Sequence, residues 1–225
     1  MIDITNEGRV RVIRLNRPES KNAFNEALYD QVTEALIEAD RDQGVAVVVV
    51  TGTGDSFSSG TDVVEMAQRM GDPNFTPGKH GFPGLADQLI EFSKPLLCAV
   101  NGIGLGIGVT ILGLADLVFM GESARVKCPF TDLALAPEAG SSFTFPRIMG
   151  RQNATWMLMS SEWLSAQQCF EMGLVFRICS DSELMDTCMG HALVLATKPI
   201  SSLVASKKVI MDPIRDQIYA ARKRE

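Results

Sequence analysis

An α/β fold with a mostly parallel sheet is predicted by three features of the sequence. "VAVVVVTG" (45–52) is a continuous β-branched run set between glycines, the pattern of a strand covered on both faces. "KPLLCAVNG" (94–102) and "ADLVFMG" (115–121) repeat that pattern. The segments between these runs are helical or rich in glycine, and strands alternating with helices define this class.

Taken in order, the first element is a strand at "VRVIRL" (10–15), where apolar residues alternate. Pro18 and "ESKN" form a turn. Leu28, Val32 and Leu36 then recur at helical spacing within residues 24–42, which predicts a helix. Residues 66–84, "MAQRMGDPNFTPGKHGFPG", carry Gly and Pro without clear periodicity and are expected to form a mobile surface loop. From Ile200 the pattern is helical again, with a stop expected at Pro213 and a brief resumption after it. No internal repeat is visible. Residues 1–195 are expected to form the core and residues 196–225 a C-terminal helical segment.

The 225 residues are 46% hydrophobic, enough for one sizeable core. A net charge of -6 argues against a nucleic-acid surface, and the basic run "ARKRE" (221–225) reads as a solvated tail. Five cysteines (Cys98, Cys128, Cys169, Cys179, Cys188) lack CxxC spacing, so neither a zinc site nor a disulfide framework is expected and no metal is called for. No apolar run reaches the roughly 18 residues of a membrane span, and the N-terminus lacks a signal peptide's order. A reducing, cytoplasmic setting is the expectation.

Several motifs fail on inspection. "GIGLGIG" (102–108) offers no G-x-G-x-x-G/A register, because the third position falls on Ile107, Val109 or Ile111. No Gly-Lys-Ser/Thr exists for a phosphate loop. Ser58 and Ser59 lack a nucleophile elbow. His80 and His191 neighbour no nucleophile and read as ordinary surface or packing residues. What remains is two glycine-bearing turns, "FSSGTDV" after a buried strand and "NGIGLGIGVT" before a helix. Glycine lets backbone N–H groups approach a ligand, and a helix N-terminus adds unsatisfied donors. Two such turns suit an oxyanion hole. Downstream, "LAPEAGSSFTFPRIMG" (135–150) sets one carboxylate, Glu138, among apolar, small and hydroxyl residues.

"LNRPESKNAFN", "FSSGTD", "KPLLCAVNGIGLGIG" and "LSAQQCFEMGLV" stand in an order and spacing that resemble the crotonase (enoyl-CoA hydratase/isomerase) superfamily over residues 3–210. The resemblance implies a ββα superhelix, a spiral core that binds an acyl-CoA thioester as substrate, with no separate cofactor. It also implies a homotrimer or dimer of trimers, and a C-terminal helical segment shorter than usual. By position, the backbone N–H groups of Thr61 and Ile107 would polarise the thioester carbonyl, with Ser59, Gly60 and Gly106 shaping the two turns. Many relatives have glycine where Ile107 stands, and a backbone donor tolerates a side chain there if φ is negative. Lys21 and Ala23 match the segment that contacts coenzyme A, Asp62 is expected to cap the next helix, and Trp163 to pack.

Family hydratases use two glutamates, whose equivalents here are Thr110 and Phe130. Residues 128–150 and "GIGVTILGLAD" (106–116) instead resemble the Δ3,Δ2-enoyl-CoA isomerases, which implies that Glu138 is the single acid/base. One carboxylate suffices to take a proton from C2 and return it to C4. Leu133, Leu135 and Phe143 are expected to surround Glu138 and raise its basicity. Two alternatives stay open: Glu138 as the nucleophile of a dehalogenase or hydrolase, and a noncatalytic acyl-CoA-binding protein.

Overall fold

The computed structural model describes the backbone of residues 1–225 and every side chain except that of Met70. A hairpin begins the chain, β1 (Ile2–Glu7) against β2 (Val10–Leu15), turning at Gly8 with φ 55°. The side chain of Asn25 then accepts a 2.9 Å bond from the Leu28 N–H and starts α1 (Glu26–Arg41). After it come β3 (Val47–Gly52), β4 (Ser56–Ser58), α2 (Val63–Gly71) and α3 (Gly81–Glu91). The next turn of chain carries β5 (Leu96–Val100), β6 (Ile103–Leu105) and α4 (Ile107–Thr110). β7 (Leu117–Gly121) and β8 (Arg125–Lys127) lead into α5 (Ser141–Met159), which is kinked at Gly150. The remainder is β9 (Leu164–Ser165), α6 (Ala166–Met172), β10 (Arg177–Cys179), α7 (Leu184–Ala196) and α8 (Ile200–Arg222).

The strands divide between two sheets. One has the order β1-β2-β3-β5-β7-β10 and is parallel except for the β1–β2 pair; the other has the order β4-β6-β8-β9 and is parallel except for β8–β9. Each pair β3/β4, β5/β6 and β7/β8 therefore gives its first strand to the large sheet and its second to the small one. That is the ββα spiral expected of the chain. The sequence shows no repeat because what recurs is a backbone pattern, and the second strands are only three residues long.

All six residues of β3 are buried, as its unbroken β-branched run predicts. Val48 and Val50 belong to the apolar core that also holds Leu28 and Leu36 of α1, while Val47 and Val49 point to the other side, into the core shared with Cys188 and Ala192 of α7. Each buried valine contributes about 1.5–3 kcal/mol relative to an exposed one. The five cysteines are all buried and free.

Three expectations are corrected. Residues 221–225 are not a solvated tail: Ala221 is fully buried, Arg222 is held by Asp87 and the Pro83 carbonyl, and Glu225 accepts from the Gly140 and Ser142 N–H groups. Residues 66–84 are not one loop, since α2 runs to Gly71 and α3 begins at Gly81. α2 is short and its apolar Val63 and Val64 face outward, which hides the usual period, and Pro83 sits in the first turn of α3, where its missing N–H costs nothing. The connection at 72–80 is tied to α1, because Asp30 accepts from the N–H groups of Lys79, His80 and Gly81, and Glu26 from that of Gly78. Pro213 likewise does not end the last helix. Contacts on both sides hold α8 continuous: Lys207 bonds Asp116 and the Lys94 carbonyl, and Ile218 and Ala221 are fully buried.

Candidate active site

β4 and β6 are parallel neighbours, with Ser58 opposite Gly104, so the segments leaving their carboxyl ends run side by side. Gly60 follows β4 with φ 89°, and Gly106 follows β6 with φ 50°. A Cβ on Gly60 would lie 2.9 Å from the Leu105 carbonyl oxygen, and one on Gly106 would lie 4.0 Å from Gly60 Cα. The two turns thus abut: at Gly60 both the space and the positive φ require glycine, and at Gly106 the positive φ favours it. The next residues are Thr61 and Ile107, and neither backbone N–H donates to another described group. Ile107 is the first residue of α4, so its N–H is one of the free donors at a helix start, and its side chain is buried without positive φ.

Supporting bonds fix the first turn. Ser59 donates from its N–H to the Lys21 carbonyl at 2.9 Å and from its hydroxyl to the Ser20 carbonyl at 3.1 Å. Asp62 caps α2 by accepting from Val64 and Glu65 N–H, as expected, and pairs with Arg17 at 3.1 Å. The Thr61 hydroxyl shares a 2.8 Å bond with the Tyr29 hydroxyl.

Glu138 reaches the same place from the other side. The turn after it uses two left-handed residues, Ala139 at φ 58° and Gly140 at φ 76°, before α5 begins. Thr110, fully buried on α4, donates its hydroxyl to Glu138 Oε1 at 2.6 Å. One short helix therefore presents a backbone donor at Ile107 and, one turn on, a hydroxyl that holds the carboxylate. In the sequence Thr110 stands out only as the residue in place of a hydratase glutamate. Its i+3 spacing from Ile107 was the available signal.

Thr61, Ile107, Ser59, Gly60, Gly106 and Glu138 all line one cavity of about 750 Å³. Its walls are apolar, including Phe24, Tyr29, Phe82, Phe130, Leu133 and Leu135. Phe143 is not among them and packs against the core instead. Burial pushes Glu138 up to about 7; the Thr110 bond works against that, Glu225 adds to it and Arg222 opposes it. Three further carboxylates touch the cavity, each already engaged. Glu26 bonds Arg69 and the Gly78 N–H, Asp62 caps α2, and Glu65 accepts from the Glu26 N–H at 2.6 Å.

A second groove, lined by Arg17, Ser20 and Ala23, shares Ser59, Thr61 and Asp62 with the cavity. The Ala23 carbonyl in it already accepts from Arg17 at 2.6 Å. Lys21 is exposed with φ 50° and lines neither space; only its carbonyl takes part, through Ser59. His80 bonds Glu34, His191 packs between Phe119 and Phe176, and Trp163 stacks under Arg125, all away from the cavity. Among the described residues no three His, Cys, Asp or Glu side chains gather as a metal-binding group.

The family model described as Enoyl-CoA hydratase/isomerase matches residues 5–225. The chain belongs to this family. An enoyl-CoA hydratase from Mycobacterium marinum superposes with a TM-score of 0.92 at 57% identity, covering 94% of this chain and 99% of that one. Human enoyl-CoA delta isomerase 2 is 34% identical over 225 residues, which is 99% of this chain and 57% of that protein. The 2,3-dehydroadipyl-CoA hydratase of Escherichia coli K12 is 36% identical over 195 residues, 87% of this chain and 74% of that protein. The chain thus spans little more than half the length of the delta isomerase 2 sequences it matches. Isomerases and hydratases both occur among these enoyl-CoA hydratase/isomerase relatives, so the reaction has to be argued from the site.

Proposed function

We propose that the chain isomerises 3-enoyl-CoA thioesters to trans-2-enoyl-CoA, with Glu138 as its single acid and base. The observation that carries this reading is the state of the cavity's carboxylates. Glu138 alone among the four is bound by a neutral hydroxyl, whereas the others hold a cation or a backbone N–H. It also shares the cavity with the two unengaged N–H groups of Thr61 and Ile107.

In this mechanism the thioester oxygen accepts from the Thr61 and Ile107 N–H groups. Glu138 removes a proton from C2, the C2–H bonding pair forms the C1–C2 double bond of a dienolate, and negative charge collects on the thioester oxygen. The two donors stabilise that enolate, each contributing about 3 kcal/mol. Glu138 then delivers the proton to C4: the C3–C4 π pair binds it there, the C1–C2 pair shifts to C2–C3, and the thioester carbonyl re-forms. An acid/base titrating near 7 is suited to both transfers, because neither its charged nor its neutral form is strongly disfavoured. The apolar walls keep competing water away from the enolate.

Hydration is the competing reading, favoured by the name of the Mycobacterium marinum structure. It requires a second carboxylate to hold and deprotonate water. At the positions the resemblance assigns to the hydratase glutamates, this chain has Thr110, whose hydroxyl is committed to Glu138, and Phe130, a buried ring. Parallel assays of 3-hexenoyl-CoA and crotonyl-CoA separate the two. Conversion of the former to trans-2-hexenoyl-CoA with negligible 3-hydroxyacyl-CoA from the latter supports isomerisation. Efficient hydration of crotonyl-CoA overturns it. Binding without turnover of either ester would make the chain a carrier, and a trapped ester on Glu138 would make that residue a nucleophile.

A further inference from the structure

The turn that aims Glu138 into the cavity is held from outside by a residue beyond α8. Gly140 is the N-cap of α5 and has no side chain with which to cap it. Glu225 does this instead. Its Oε2 accepts from the Gly140 N–H at 2.8 Å and its Oε1 from the Ser142 N–H at 3.0 Å. Backbone N–H groups presented by a left-handed turn at a helix start form a natural cradle for a carboxylate. α8 delivers Glu225 there. Ile218 packs so closely that a Cβ on Gly140 would lie 2.6 Å from its Cγ2, and Arg222 is anchored by Asp87 and the Pro83 carbonyl.

We propose that Glu225 is a positioning residue for Glu138: its carboxylate locks the Ala139–Gly140 turn and satisfies the start of α5, so that Glu138 faces the cavity. Glu138 lies two residues before Gly140, and without Glu225 its own carboxylate is drawn toward the vacated donors. The proposal rests on the reading of Glu138 as the base.

The surroundings of Glu138 give the charge consequence a definite sign. From α8, Glu225 disfavours its ionised form and Arg222 favours it. From α4, the Thr110 hydroxyl favours the ionised form. Tyr29 on α1 and Cys128 after β8 also feel Glu138, and burial pushes both well above their ordinary values, so both are neutral near pH 7. Removing the Glu225 charge therefore lowers the pH at which Glu138 titrates. Exposing the positive end of α5 acts in the same direction.

The test uses Glu225→Gln, Glu225→Ala and Glu225→Asp in the full chain, each checked for folding by circular dichroism and thermal melting. Glu225→Gln keeps one of the two acceptor oxygens and loses the charge and the other acceptor, a smaller change than truncation, so it decides the matter even if Glu225→Ala fails to fold. Two readouts are taken: the pH profile of kcat for 3-hexenoyl-CoA, and the carboxyl 13C titration of Glu138 in substrate-free protein, assigned with Glu138→Gln. In Glu225→Gln both should move to lower pH, with kcat reduced by about tenfold as the base weakens and its turn loosens. Glu225→Asp should move them back toward the wild-type position. A Glu138 carboxyl titration that coincides with wild type in folded Glu225→Gln overturns the proposal. Because that titration needs no turnover, it decides the role of Glu225 even if Glu138→Gln retains activity and the isomerase reading fails.

Discussion

The Thr110 hydroxyl donates a 2.6 Å hydrogen bond to Glu138 Oε1 across 28 residues of sequence. Oε1 is thereby held against α4. This bond favours the ionised carboxylate, in opposition to the burial that disfavours it.

Thr110→Val preserves the shape of the buried side chain and deletes the donor. A hydrogen bond to a charged group contributes about 1.5–3 kcal/mol, so Glu138 should titrate at higher pH and the acid limb of the kcat–pH profile should move upward. This is opposite in direction to the effect expected of Glu225→Gln. A profile identical to wild type would show that the bond does not bear on the base.

Glu138→Gln keeps size and polarity but cannot accept the C2 proton. Isomerisation should fall by a factor of about 100–10,000 with little change in acyl-CoA affinity. The same variant tests the buried charge. Because Glu138 titrates near 7 in the fold against an ordinary 4.5, its contribution to wild-type stability is fully present below about 4.5 and is lost as pH rises through about 7. Glu138→Gln should therefore melt above wild type at pH 8, with the gap closing at pH 4.

Thr61→Ala retains the backbone donor and removes only the hydroxyl that meets Tyr29, so most of kcat should survive. Thr61→Pro deletes the N–H and should cost about 100–1,000-fold in kcat, provided circular dichroism shows a native fold. Equal failure of a folded Thr61→Ala would assign the role to the hydroxyl.

Lys207, 6% exposed, donates to the Lys94 carbonyl at 2.9 Å and to Asp116 at 2.8 Å. Lys207→Ala strips Asp116 of its cation and leaves a buried carbonyl unpaired. Asp116 is partly solvated and still accepts from the Leu96 N–H, which moderates the loss. Urea unfolding should show destabilisation of about 2–3 kcal/mol.

The long strands, the first helix and the isolation of Glu138 were legible in the sequence, because each is written in residues at most a few positions apart. Val47 to Val50 form a strand in any covered sheet, and Leu28, Val32 and Leu36 line one helix face wherever they pack. The glycines of the two turns were legible for the same local reason, since positive φ selects them. Strands of two or three residues carry no period, so β4, β6, β8 and β9 appeared only once neighbours paired with them. The parallel register of β4 on β6 is what sets the Thr61 and Ile107 donors side by side. Tertiary packing also overrode the expected break at Pro213, carrying α8 on until Glu225 meets Gly140 across 85 residues. A hydrogen bond over such a separation depends on the summed geometry of the spiral, so local sequence specified the chemical groups and the tertiary structure decided which of them meet.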